Sequence, residues 1–148
     1  MTTAIELDFG PGRYRFFLPL KAQIEVERLC GNKAIGTIYD ELCGSVGINQ
    51  ETGAALYLPG PARAKDAYEV IRLAAQYGSE GFVGGQRISV SAIDATRIVD
   101  QYVDGRPYAE FMPVAWGILK ALLTGIQLDA PKKKGRQRRT SRSSAVKS

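Results

Sequence analysis

No histidine occurs in the 148 residues, and the chain has only two cysteines and one tryptophan. Histidine is the side chain that exchanges protons most readily near neutral pH, and it anchors most nucleophile–base pairs and many metal sites. Its absence leaves general acid–base work to a perturbed carboxylate in a cleft, and no serine or cysteine has a recognisable activating partner. Cys30 and Cys43 fall on two separate predicted helices, with no Cys-x-x-Cys spacing between them. That excludes a zinc ribbon or a thioredoxin-type redox motif, and leaves reduced, core-facing thiols of a cytoplasmic protein as the expectation. Long apolar runs are missing as well. The most apolar stretch, residues 111–126, is interrupted by Pro113 and Lys120 and is short for a membrane span. Met1-Thr2-Thr3 carries no basic start and no apolar run follows, so no secretory signal is read there.

Acidic side chains are absent from residues 131–148, which hold eight Lys or Arg. Residues 1–130 hold the other 12 basic groups and all 15 acidic ones, a net charge of −3 against +5 for the whole chain. The pI of about 9.3 therefore belongs to a tail and not to a basic folded surface. The composition divides the chain into one folded domain, 1–130, and a basic tail, 131–148, expected to be disordered. With 45% hydrophobic residues, a domain of this length can bury ~65–70% of its unfolded surface without metal or disulfide staples.

Residues 4–18 read as a β-hairpin. Ile5, Leu7 and Phe9 alternate with Glu6 and Asp8, and a turn around Gly10-Pro11-Gly12 leads into Arg13-Tyr14-Arg15-Phe16. Pairing Asp8 with Arg13, Leu7 with Tyr14, Glu6 with Arg15 and Ile5 with Phe16 puts opposite charges on one face and apolar groups on the other. A slip of one residue would oppose apolar groups to charges. Pro19 then opens a helix to about residue 30, with Ala22, Val26, Leu29 and Cys30 on one face. Ile35, Ile38, Tyr39, Leu42 and Cys43 repeat the helical spacing, and Gly44 ends that element. Residues 45–60, punctuated by Gly and Pro, are expected to form a surface loop, with 54–58 briefly extended. Pro61 is expected to start a helix carrying Ala64, Tyr68, Ile71 and Ala75 as its stripe. Residues 78–86 read as a loop or turn. Ser91 with Asp94 three residues on predicts a capped helix whose inner face is Ala95, Ile98, Val99 and Tyr102. A last helix spans about 107–127, with Glu110 and Lys120 its only charges between Tyr108 and Ile126. A helix so apolar is either central to the core or buried against another chain. The expected fold class is α+β, mainly α: an N-terminal β-hairpin packed on about five helices, followed by the disordered basic tail.

Few motifs carry chemistry. Gly78, Gly81, Gly84 and Gly85 match neither the dinucleotide fingerprint nor a Walker loop, and a turn accounts for them. Asp100 and Asp104 lie one helical turn apart, but without further ligands a solvated face is the expectation and no metal or cofactor is called for. The tail residues Lys132, Lys133, Lys134, Arg136, Arg138, Arg139 and Arg142 are candidates for polyanion contact. No aromatic residue accompanies them, so nucleic-acid contact would be to phosphates and sensitive to salt. A solubilising extension is the alternative.

The string Gly105-Arg106-Pro107-Tyr108-Ala109-Glu110-Phe111-Met112-Pro113-Val114-Ala115-Trp116 is distinctive, and it runs into Ile118-Leu119 and Leu122-Leu123. It resembles the C-terminal helix of the gene-transfer-agent family of small phage tail proteins, classed among the tail assembly chaperones. Residues 20–29 and 36–42, after a short hairpin, are similar to the front of that family, so the resemblance covers about residues 4–127. The loop 45–60 is longer than the family norm, and the basic tail is not a family feature. The resemblance implies a non-enzymatic role: holding an apolar tape-measure protein, or delivering tail-tube subunits, in the cytoplasm of the host bacterium until the tail matures. Tyr108, Phe111, Met112, Val114 and Trp116 are the candidate partner-binding residues, because aromatics and Met are enriched at binding hot spots. Phe111 and Trp116 filling the domain's own core is the competing expectation. A homo-oligomer, a retained structural tail component and a nucleic-acid-associated protein remain open alternatives.

Overall fold

A computed structural model of the protein describes residues 1–127. The first hairpin, β1 (Ile5–Phe9) and β2 (Gly12–Phe16), has the register that its charge and apolar alternation demand. Ile5 faces Phe16, Glu6 faces Arg15, Leu7 faces Tyr14 and Asp8 faces Arg13. Arg13 Nη1 donates to Asp8 Oδ1 at 3.0 Å on the outer face, and Phe9, Tyr14 and Phe16 meet edge-on or tilted on the inner one.

Helix α1 (Leu20–Leu29) follows Pro19 and buries Ala22 and Val26, with Cys30 buried at its end. Helix α2 (Ile35–Cys43) buries Ile35, Ile38 and Leu42. Cys43 departs from the core-facing expectation, being exposed. At 100° per residue it lies about 80° round from Ile35, on the rim of the buried stripe.

Two segments expected as loops contain hairpins. Within 45–60, β3 (Val46–Ile48) pairs antiparallel with β4 (Ala55–Tyr57). From within 78–86, β5 (Glu80–Val83) turns through Gly84 and Gly85 into β6 (Gln86–Ser89), which runs three residues past that segment. Both turn glycines have positive φ, +59° and +79°, the pair of values a two-residue type I′ connection requires. β5 adds to β2, giving a four-stranded antiparallel sheet in the order β1-β2-β5-β6. β5 and β6 pair with each other across Gly84-Gly85, the one local signal for them, while the pairing of β5 with β2 joins segments some 70 residues apart.

Helix α3 (Ala64–Gly78) lies between these two hairpins. It begins three residues after Pro61, past a bend at 59–61 that is held where buried Ser45 Oγ accepts from the Ala62 N–H at 3.0 Å. α3 packs against β2, α1, α4 (Ala92–Val103) and α5 (Tyr108–Thr124), and nine of its fifteen residues are buried. α5 buries six of seventeen. The central helix is therefore α3, although α5 is the more apolar sequence. The end of α3 crosses β2 closely: a Cβ on Gly78 would lie 1.7 Å from the Arg15 carbonyl oxygen. Arg15 Nη1 donates to Gly78 O at 3.1 Å, and Phe17 N–H donates to Ala74 O at 3.0 Å. α4 opens with the expected capping box between Ser91 and Asp94. α5 carries Pro113 in its second turn and ends at Thr124, three residues short of the expected 127, where Gly125 turns the chain. Thr2 and Ile126 then form a single antiparallel bridge.

Candidate interaction surface

α5 presents two unlike faces. Phe111, Met112, Ala115, Ile118 and Leu119 recur at helical spacing and fill the core against α3, α2 and β1. Phe111 is 1% exposed and Met112 0%. This corrects the expectation that both belong to a partner-binding surface, since in this fold neither can be reached from outside. Their place follows from Phe111 sitting one turn before Ala115 and two before Ile118, on the stripe that faces α3.

The other candidates lie outside that stripe. Tyr108 is 42% exposed, and its ring meets Tyr57 of β4 edge-on at 5.6 Å and Phe111 at 5.3 Å. Val114 and Trp116 are half-buried at the core's margin. Lys120 Nζ stands 5.1 Å from the centre of the Trp116 ring, a cation–π contact one turn along the helix. Leu123 continues this outer face at 47% exposure. An open groove of about 340 Å³ runs beside Trp116, lined by Ile5 and Leu7 of β1, Ala55 of β4, and Trp116, Ala121 and Ile126.

The β3–β4 hairpin adds apolar surface that was not legible beforehand: Ile48, Leu56 and Leu58 are each roughly half exposed. Leu58 Cδ1 folds back over Gly47, beside Leu56 on the outward side. A strand pair with apolar residues on both sides signals a covered face, but the three-residue strands are too short for that pattern to register in sequence.

The polar clusters are structural. Lys33 Nζ bonds Glu41 Oε1 at 2.6 Å and also Asp66, tying the α1–α2 turn and α2 to α3. Burial, reinforced by Asp66, pushes the Cys30 thiol up to about 12, which favours the protonated form of this core-facing side chain. Asp100 Oδ1 accepts the Tyr68 hydroxyl at 2.6 Å on the exposed side of α4. Burial and that carboxylate push the Tyr68 phenol up to about 12. Among the described residues no cluster of three or more His, Cys, Asp or Glu is placed to hold a metal, and no helix is long and apolar enough to cross a membrane. The candidate polyanion residues, Lys132 to Arg142, lie outside the described residues. Comparison with known proteins finds no matching family model, curated protein or solved structure.

Proposed function

We propose that this protein is a non-enzymatic tail assembly protein of a phage or gene transfer agent, a chaperone that binds the tape-measure or tail-tube protein in the host cytoplasm. One observation carries the reading. Along the helix formed by the string that resembles the tail assembly chaperones, Tyr108, Trp116 and Leu123 stand partly exposed at one margin of the core and Val114 at the other, and the hairpin whose Tyr57 packs on Tyr108 exposes Ile48, Leu56 and Leu58. Several exposed apolar side chains on one small domain mark a place where another polypeptide can be covered. A tape-measure protein has long apolar segments that aggregate until the tube closes round them, and a reversible apolar partner keeps them apart.

Co-expression with a tape-measure fragment tests this. The wild-type chain is expected to keep the fragment in solution, whereas Trp116→Ala folds normally and loses that effect. A folded Trp116→Ala variant that rescues the fragment as well as wild type removes the assigned surface. Purified particles separate the chaperone from a retained structural component: mass spectrometry should find no copies of a chaperone in them. The second reading, polyanion binding, is favoured by the eight cationic side chains of residues 131–148 and is a property of the tail alone.

A further inference from the structure

β1 is the edge of the four-stranded sheet, and among the described residues it pairs only with β2. Its other side therefore presents alternate backbone N–H and C=O groups to whatever lies there. The apolar groove beside Trp116 is lined by the inward side chains of this strand, Ile5 and Leu7. α5 runs close beneath it: a Cβ on Gly117 would stand 3.2 Å from Leu7 Cδ1. On the opposite face of the strand stand Glu6 and Asp8, whose side chains are 62% and 83% exposed; among the described residues Arg13 bridges both and Arg15 stands opposite Glu6.

We propose that the free edge of β1 is a strand-addition site for an extended polypeptide segment whose side chains alternate apolar and basic. The inference rests on the reading that the protein binds another polypeptide, and it specifies the form of the bound segment. A helix laid over the groove would cover the edge while leaving its backbone groups unpaired, each a costly loss. An added strand bonds them and, by its twofold alternation, sends every second side chain into the groove against Trp116 and Ala121. The remaining side chains stand beside Glu6 and Asp8, where cations extend the cross-strand pairing that Arg13 begins. Charge decides against a second copy: pairing β1 with β1 sets carboxylates of one strand against those of the other on the same face.

The test uses the full chain and a fluorescein-labelled ten-residue peptide alternating valine and lysine. Controls are a block peptide of five valines then five lysines, and an alternating valine–glutamate peptide. Fluorescence anisotropy is expected to show at least tenfold weaker binding for the block peptide, despite its equal charge. The double variant Glu6→Lys with Asp8→Lys, checked by circular dichroism, should lose the lysine peptide at least tenfold and gain the glutamate one. Because that variant also disturbs the Arg13 pairs, hydrogen exchange on the wild-type chain supplies an independent readout. The β1 amides not bonded to β2 should exchange freely in the free chain and become protected when the lysine peptide is added.

Equal affinity for the block peptide overturns the proposal, leaving only charge attraction. Protection of those amides in the free chain also overturns it, because a second copy or the chain's own residues 128–148 would then be the occupant. If a tape-measure fragment is kept soluble while β1 stays unprotected in its presence, the edge site falls and the chaperone reading stands. Strand addition of the peptide without any effect on the tape-measure fragment supports the edge site and removes the chaperone reading.

Discussion

Trp116 and Phe111 sit five residues apart on one helix and have opposite fates. Phe111 closes the core between α3 and α5, so Phe111→Ala leaves a cavity that the surrounding side chains fill only in part. A loss of about 3–5 kcal/mol is expected, measured as a lower urea midpoint at unchanged slope. Trp116→Ala removes a half-buried ring and its Lys120 contact, so its stability cost should be a fraction of that, with partner solubilisation carrying the larger effect. A second residue-scale expectation concerns Tyr68. Its hydroxyl donates to the Asp100 carboxylate, and ionisation would set two anions 2.6 Å apart in a partly buried place. The folded-state pKa, raised to about 12 from the ordinary 10.0, means that the folded chain holds this proton more tightly than the unfolded one. The contribution to stability is thus fully present below pH 10, and is lost as pH rises through about 12. In a spectrophotometric titration of the seven tyrosines, Tyr68→Phe should delete part of the late-ionising absorbance and leave the early part unchanged. Loss of an early-ionising tyrosine instead would show that Asp100 does not hold the phenol.

At the scale of elements, legibility follows from how local the determinants are. The β1–β2 hairpin was readable to the register because Glu6, Asp8, Arg13 and Arg15 fix one face, and Ile5, Leu7, Tyr14 and Phe16 the other, within twelve residues of chain. The α4 cap was readable because Ser91 and Asp94 satisfy each other's backbone N–H groups three residues apart. β5 and β6 were not, since Glu80-Gly81-Phe82-Val83 and Gln86-Arg87-Ile88-Ser89 are short and lack a clean apolar alternation, and the pairing of Gly81, Phe82 and Val83 with Tyr14, Arg13 and Gly12 is remote in sequence. α3 is legible as a helix from its Ala64, Tyr68, Ile71 and Ala75 stripe but its centrality is not, because the charged Asp66 and Glu69 are buried beside Lys33 and Arg72. The junction of α3 with β2 gives the sharpest expectation at this scale. Gly78→Ala forces a methyl group into the Arg15 carbonyl, so either the strand or the helix end must move. A destabilisation at or above the upper end of ~1–3 kcal/mol is expected, with faster hydrogen exchange at Phe17, whose N–H bonds α3. A Gly78→Ala chain as stable as wild type would mean that α3 and β2 do not approach this closely.

Over the whole molecule, charge and apolar surface are segregated. Residues 1–130 carry net −3 and present the apolar outer face of α5, while residues 131–148 carry eight cations and no acid. The two parts therefore answer to different solution conditions. Contact through the α5 face and β3–β4 hairpin should change little between low and high salt, because it depends on removing apolar area from water. Binding of the tail to DNA releases counterions, and eight cations cap the slope of log affinity against log salt at about −7. Filter binding with the full chain and with a chain ending at Ala130 measures this. Steep salt dependence in the first, and loss of affinity in the second, are expected if the tail grips phosphates. Tape-measure solubilisation, assayed on the same two chains, should then be equal, and far less sensitive to salt than the DNA contact. Were the shortened chain to lose both activities together, the basic tail would have to act in polypeptide binding, and the division of labour between domain and tail would fail.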